Sequence, residues 1–92
     1  MSAVRIPPVL RASAGGQKQV EVAGETVGVV LDALVDAYPG LRDQLLTPDG
    51  ALNRFVNVYL NDEDIRYLAE LETPVGERDT IVILPAMAGG AA

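Results

Sequence analysis

The sequence predicts an α+β fold in which one mixed sheet of four or five strands is covered on one face by a single main helix. Three observations predict it: period-two alternation toward both ends of the chain, one segment of period 3.6 between them, and a length of 92 residues, which suits a single domain. Surface scaling for a 9.7 kDa chain puts about 64% of the unfolded surface inside on folding, enough for one modest core.

The first strand is expected within Ala3 to Leu10, where Val4, Ile6, Val9 and Leu10 surround Pro7-Pro8. Two prolines in succession remove ladder donors and predict a bulge or an unpaired edge there. The segment from Arg11 to Gln19 is polar and small, with Gly15-Gly16 as its turn signal; Val20 and Val22 then alternate with polar neighbours, giving a second strand and a hairpin. Val27, Val30, Leu31, Leu34, Val35 and Tyr38 follow at i, i+3, i+4, i+7, i+8 and i+11, one face of an α-helix. Thr26 stands at its N-cap, Pro39-Gly40 stops it, and Asp32 and Asp36 lie on the wet face.

Leu41, Leu45 and Leu46 predict a further helical turn, and Thr47 to Gly50 a loop. From Arg54 the period returns to two, with Val56, Val58 and Leu60 on one face and Phe55, Asn57 and Tyr59 on the other. A turn over Asn61 to Asp64, a brief extended piece over Ile65 to Leu68, a turn region from Thr73 to Asp79 and a last strand from Thr80 to Leu84, closed by Pro85, complete the order β-β-α-β-(β)-β. Nothing repeats internally. One helix on one face of one mixed sheet is the β-grasp, or ubiquitin-like, arrangement, in which the final strand lies at the sheet centre. The expected domain spans residues 1–86, followed by a flexible tail at 87–92.

Composition excludes much chemistry. There is no His and no Cys, which removes disulfides, thiolate or imidazole metal sites and Cys–His or Ser–His nucleophiles. A net charge of −6 with scattered basic residues argues against nucleic acid and suits a partner with a basic docking surface. The apolar runs are too short to span a membrane, and Pro7-Pro8 interrupts the stretch where a signal peptide would have its apolar core. A cytoplasmic protein is expected. The carboxylates of Asp62, Glu63 and Asp64 lack the Gly and distal Glu of a calcium loop and are expected to form a solvated turn, so no metal site is assigned.

The tail, Met87-Ala88-Gly89-Gly90-Ala91-Ala92, has no charge and no large side chain beyond Met87. It directly follows the last strand and Pro85. With Asn61 after the third strand, these features resemble the ubiquitin-like sulfur carriers of the MoaD/ThiS family. The runs Gly15-Gly16-Gln17-Lys18, Arg54-Phe55-Val56-Asn57, Tyr59 to Asp64 and Ile83-Leu84-Pro85-Ala86 are similar to its CysO type over nearly the whole chain.

The resemblance implies a protein substrate with no active site of its own. An E1-like enzyme using ATP and Mg²⁺ would adenylate the Gly90 carboxylate, and a sulfur donor would displace AMP to leave a thiocarboxylate. Gly89 and Gly90 suit passage through a narrow tunnel because they lack a Cβ. Family members usually end at Gly-Gly, whereas Ala91-Ala92 follow here. The implied step is cleavage between Gly90 and Ala91 by a JAMM-type zinc metalloprotease.

For the CysO type the implied acceptor is an activated serine on a PLP-dependent cysteine synthase; other sulfur-accepting biosynthetic enzymes are also used in the family. Phe55, Tyr59, Val82 and Leu84 are expected on the sheet face away from the helix and, with Met87, form the implied docking surface for the activating enzyme. Two other readings stay open: the small subunit of molybdopterin synthase, and a ubiquitin-like modifier or interaction domain. Lys18, the only lysine, is expected as a surface charge at the hairpin end. Arg54, Arg66 and Arg78 either steer acidic partners or balance nearby carboxylates.

Overall fold

A computed structural model describes residues 1–85. Its strands are β1 (Ser2–Arg5), β2 (Gln19–Val22), β3 (Val56–Leu60), β4 (Glu63–Asp64) and β5 (Thr80–Pro85), and its α-helices are α1 (Val27–Ala37) and α2 (Arg42–Leu45). They form one five-stranded sheet in the order β2-β1-β5-β3-β4. β1 runs antiparallel to β2 and parallel to β5, while β3 runs antiparallel to both β5 and β4. The sheet is therefore mixed, and the last strand is central, as the β-grasp expectation requires.

The helix forms where its period places it. The Thr26 hydroxyl accepts the Val29 N–H at 3.2 Å, satisfying one of the N-terminal donors that lack an intrahelical partner. At the other end the Tyr38 N–H closes on the Leu34 carbonyl before Pro39. Val27, Val30, Leu31 and Leu34 are fully buried and meet Val4, Val58, Ile81 and Ile83 from the sheet. Leu41, Leu45 and Leu46 seal the end of this core. Every buried side-chain polar atom among the described residues has a hydrogen-bond partner.

Three local expectations are corrected. β1 ends at Arg5, and Pro8–Ala14 forms a 3-10 helix in place of the strand's second half. Pro8 opens this helix, where its preset φ fits and its missing N–H leaves no bond unmade. Gly15, at φ 64°, closes it with its N–H on the Arg11 carbonyl. The extended edge piece is β4 at Glu63–Asp64, whereas Ile65–Tyr67 is a 3-10 turn capped by Asp64, whose carboxylate accepts the Arg66 N–H at 2.9 Å. Asn61 (φ 49°) and Asp62 (φ 74°) make the two-residue connection from β3 to β4; paired positive φ values give a turn whose twist matches a hairpin. Finally, β3 begins at Val56, so Phe55 belongs to the turn before it.

Asn61 also ties this turn to the root of β5. Its amide donates to Asp79 Oδ1 at 2.8 Å, and its side-chain oxygen accepts the Thr80 N–H at 2.9 Å. Asp79 Oδ2 accepts the Gly76 N–H at 2.7 Å. The Gly76 N–H first, and the Asn61 amide second, hold the Asp79 carboxyl below its ordinary value of 3.8.

Two predictions follow from these contacts. A Cβ on Gly24 would sit 2.6 Å from Val30 Cγ2 and 2.9 Å from the Val30 backbone nitrogen, inside the first turn of α1. Gly24→Ala is therefore expected to lower stability by about 1–3 kcal/mol, and an unchanged urea midpoint would contradict this close packing. Asp79 binds protons less readily folded than unfolded, so its stabilisation is complete above the ordinary 3.8 and is lost as pH falls through the lowered folded value. Asp79→Asn should flatten the acid limb of a melting-temperature profile across that window while leaving its neutral-pH shape alone. An acid limb identical to that of the wild-type chain would rule the latch out.

Candidate functional site

The candidate site is built around β5, because the Gly89-Gly90 sequence follows this strand in the chain. Along β5 the side chains alternate: Ile81 and Ile83 are buried under α1, while Val82 is half-buried and Leu84 is 42% exposed on the opposite, uncovered face. Register sets the neighbours. Val82 lies between Arg5 of β1 and Tyr59 of β3, and Leu84 lies beside Asn57. Tyr59, Val82 and Leu84 are thus brought together on the bare face, as expected.

Phe55 is placed differently. The Asn53 side-chain oxygen accepts the Phe55 N–H at 2.9 Å, and the Val56 N–H reaches the Asn53 carbonyl, so the chain turns before entering β3. Phe55 is 55% exposed and lines a shallow groove with Val9, Leu10, Val56 and Pro85 beside the end of β5. Contrary to expectation, Phe55 is not part of the bare-face strip: Asp43 and Gln44 of α2 line the same groove, and Val56 and Pro85 belong to the strand face of the buried Val58 and Ile83. Val9 is 70% exposed in the same groove; alternation in a supposed long first strand hid it. Met87, Gly89, Gly90 and Ala91 lie outside the described residues.

The rim of the face is polar and ordered. Arg66 donates to the Val56 carbonyl at 2.9 Å and to Asn57 Oδ1, and it stands 4.0 Å from Asp64. This guanidinium occupies the outer side of β3 where the two-residue β4 is too short to pair, a device that blunts an otherwise open strand edge. Asp62, Glu63 and Asp64 do not converge. Asp62 is in the turn, Glu63 is exposed, and Asp64 is engaged with the backbone and side chain of Arg66. No helix among the described residues is long and apolar enough to cross a membrane. What the arrangement supports is protein contact, with a central apolar strip from two strands and no grouped catalytic side chains in it.

Comparison with known proteins narrows this. The sulfur carrier protein CysO of Mycobacterium tuberculosis is 46% identical over 89 residues, covering 95% of this chain and 96% of that protein. Its crystal structure matches with a TM-score of 0.87 at 43% identity, covering 95% of this chain and 100% of that one. A chain of the Amycolatopsis orientalis BexX/CysO complex matches with a TM-score of 0.89 at 43% identity, covering 98% of this chain and 100% of that one. The small archaeal modifier protein 1 of Methanosarcina acetivorans has a TM-score of 0.86 at 33% identity, covering 97% of this chain and 95% of its own. The model of the ThiS family matches residues 4–90. With that match running through β1, the helix and β5 alike, the chain belongs to the ThiS family.

Proposed function

We propose that this chain is a CysO-type sulfur carrier that works in the cytoplasm as a protein substrate for other enzymes. The observation that supports this most directly is the 46% identity to a sulfur carrier over nearly the full length of both chains, together with the Gly89-Gly90 pair that follows β5. The family match ends at Gly90, two residues before Ala92, which agrees with Gly90 as the working terminus once Ala91-Ala92 have been removed by a JAMM-type metalloprotease.

The chemistry asked of the chain is modest. A carboxylate is a poor electrophile. An E1-like enzyme, holding ATP and Mg²⁺ itself, would convert the Gly90 carboxylate to an acyl adenylate with release of pyrophosphate. A sulfur donor attacking that carbonyl would expel AMP and leave a thiocarboxylate. The acceptor would be a PLP-dependent cysteine synthase or another biosynthetic enzyme. The complex formed by the Amycolatopsis CysO with BexX supports a carrier that works by docking on a partner protein. Tyr59, Val82 and Leu84 would form the surface that aligns the tail, with Met87 contributing where the tail begins in the sequence.

Mass spectrometry of the protein isolated from its own cells tests the function. Loss of two alanines and replacement of one terminal oxygen by sulfur are expected. Isopeptide conjugates without thiocarboxylate would favour a modifier, and stable co-purification with a larger molybdopterin synthase subunit would favour the role of a small subunit in that enzyme. Leu84→Glu places a charge on an exposed position of the strip and should weaken binding to the activating enzyme at least tenfold with the fold retained. Unchanged affinity would remove this face from the docking surface.

A further inference from the structure

The net charge of −6 suits a basic partner, yet an arginine stands on each border of the apolar strip, with Asp64, the cross-strand neighbour of Tyr59, as the carboxylate in the same row. Arg5 is the cross-strand neighbour of Val82, and it is exposed on the bare face. Among the described residues it forms no ion pair, the salt bridges there being Arg42–Asp36 and Arg66–Asp64. On its other side, Arg5 faces Gln19 of β2, an uncharged residue. Arg66 occupies the opposite border, held by the Val56 carbonyl and Asn57 Oδ1 beside Leu84. Strand spacing of about 4.8 Å puts the β1 and β3 borders about 10 Å apart, with Val82 and Leu84 between them.

The carboxylates near this half of the face are already placed. Asp64 has a side chain only 15% exposed and is engaged with Arg66. Glu21 lies on the outermost strand, paired in register with Ala3, and its carboxylate accepts the Gln19 side-chain amide at 3.3 Å.

We propose, resting on the docking role assigned to this face above, that the activating enzyme meets it with an apolar centre bordered by carboxylates opposite Arg5 and Arg66. The two border arginines, rather than the net charge of the chain, then decide which partner surface is accepted. A guanidinium has five donors in a rigid fork, and Arg66 enters the interface already oriented by the hydrogen bonds it makes to β3. Closing the apolar strip removes water from both borders, which strengthens a matched charge pair and penalises a like-charged one. A partner with a basic face would leave Arg5 opposed by its own sign.

Equilibrium binding of the full chain to the purified E1-type adenylating enzyme of the same organism tests this, with thermal unfolding of each variant as the fold control. Arg5→Glu should weaken binding at least tenfold and Arg5→Gln several-fold, whereas Arg42→Glu, on the α2 side of the molecule, should stay within twofold. Gln19 provides a second handle that leaves Arg5 in place: Gln19→Glu should weaken binding by partly neutralising Arg5, and Gln19→Lys should tighten it. Affinity that is unchanged or increased in Arg5→Glu overturns the proposal. If Leu84→Glu abolishes binding while Arg5→Glu does not, the face docks but the charge assignment is wrong. If neither affects binding, the docking reading itself fails and the charge assignment falls with it.

Discussion

The central position of β5 is the constraint on which the rest of the molecule depends. It pairs in parallel with β1 through Ala3–Thr80, Val4–Ile81 and Arg5–Val82, and antiparallel with β3 from Val56–Pro85 to Leu60–Ile81. A parallel partner must be reached by a crossover, and the chain between β2 and β3 supplies α1 for that purpose. Once α1 packs on Val4, Val58, Ile81 and Ile83, one face of the sheet is closed and the other remains bare. The bare face and the end of β5 are therefore set side by side by the same topology. The proposed carrier role would use that juxtaposition: with no His and no Cys, the reacting group would be a backbone carboxyl and specificity would come from contact.

That bare face is not a uniform apolar patch. Its rows run across four or five strands, so each residue's neighbours belong to distant parts of the sequence. Arg5 meets Val82, and Asn57, steadied by Arg66, meets Leu84. The chain is acidic overall, but at the patch Arg5 and Arg66 stand beside Asp64 and Glu21, and in physiological salt a partner feels chiefly the charges within about 8 Å of it.

Much of the fold was legible in the residues. The Val27 to Val35 stripe, the Thr26 cap and the alternation in Val56 to Leu60 and Ile81 to Leu84 all describe single elements whose periods are local. The misplaced pieces are those in which a side chain or a proline overrode the period. Pro8 turned apparent strand into 3-10 helix and left Val9 outside. Asn53 captured the Phe55 N–H and delayed β3 by a residue. β4 consists of Glu63 and Asp64, too short and too polar to have a period, and exists because Asn61 and Asp62 both adopt positive φ. The Asn61–Asp79 latch joins residues 18 apart, a spacing that no local pattern announces. At the site, Tyr59, Val82 and Leu84 were recoverable from alternation, whereas the partnership of Arg5 with Val82 required knowing that the first and last strands are neighbours.

The double anchoring of β5 has a mechanical side. A partner that grips the chain beyond Pro85 and tugs does so along the strand axis, with β1 alongside in parallel and β3 alongside in the opposite sense. Load applied in that direction shears both ladders together, so their bonds must yield in concert rather than peel away singly from one end. Resistance to such pulling is governed by the rate of unfolding rather than by equilibrium stability. In the proposed carrier role, an end that partners seize and release would be gripped in the direction in which both ladders have to yield together.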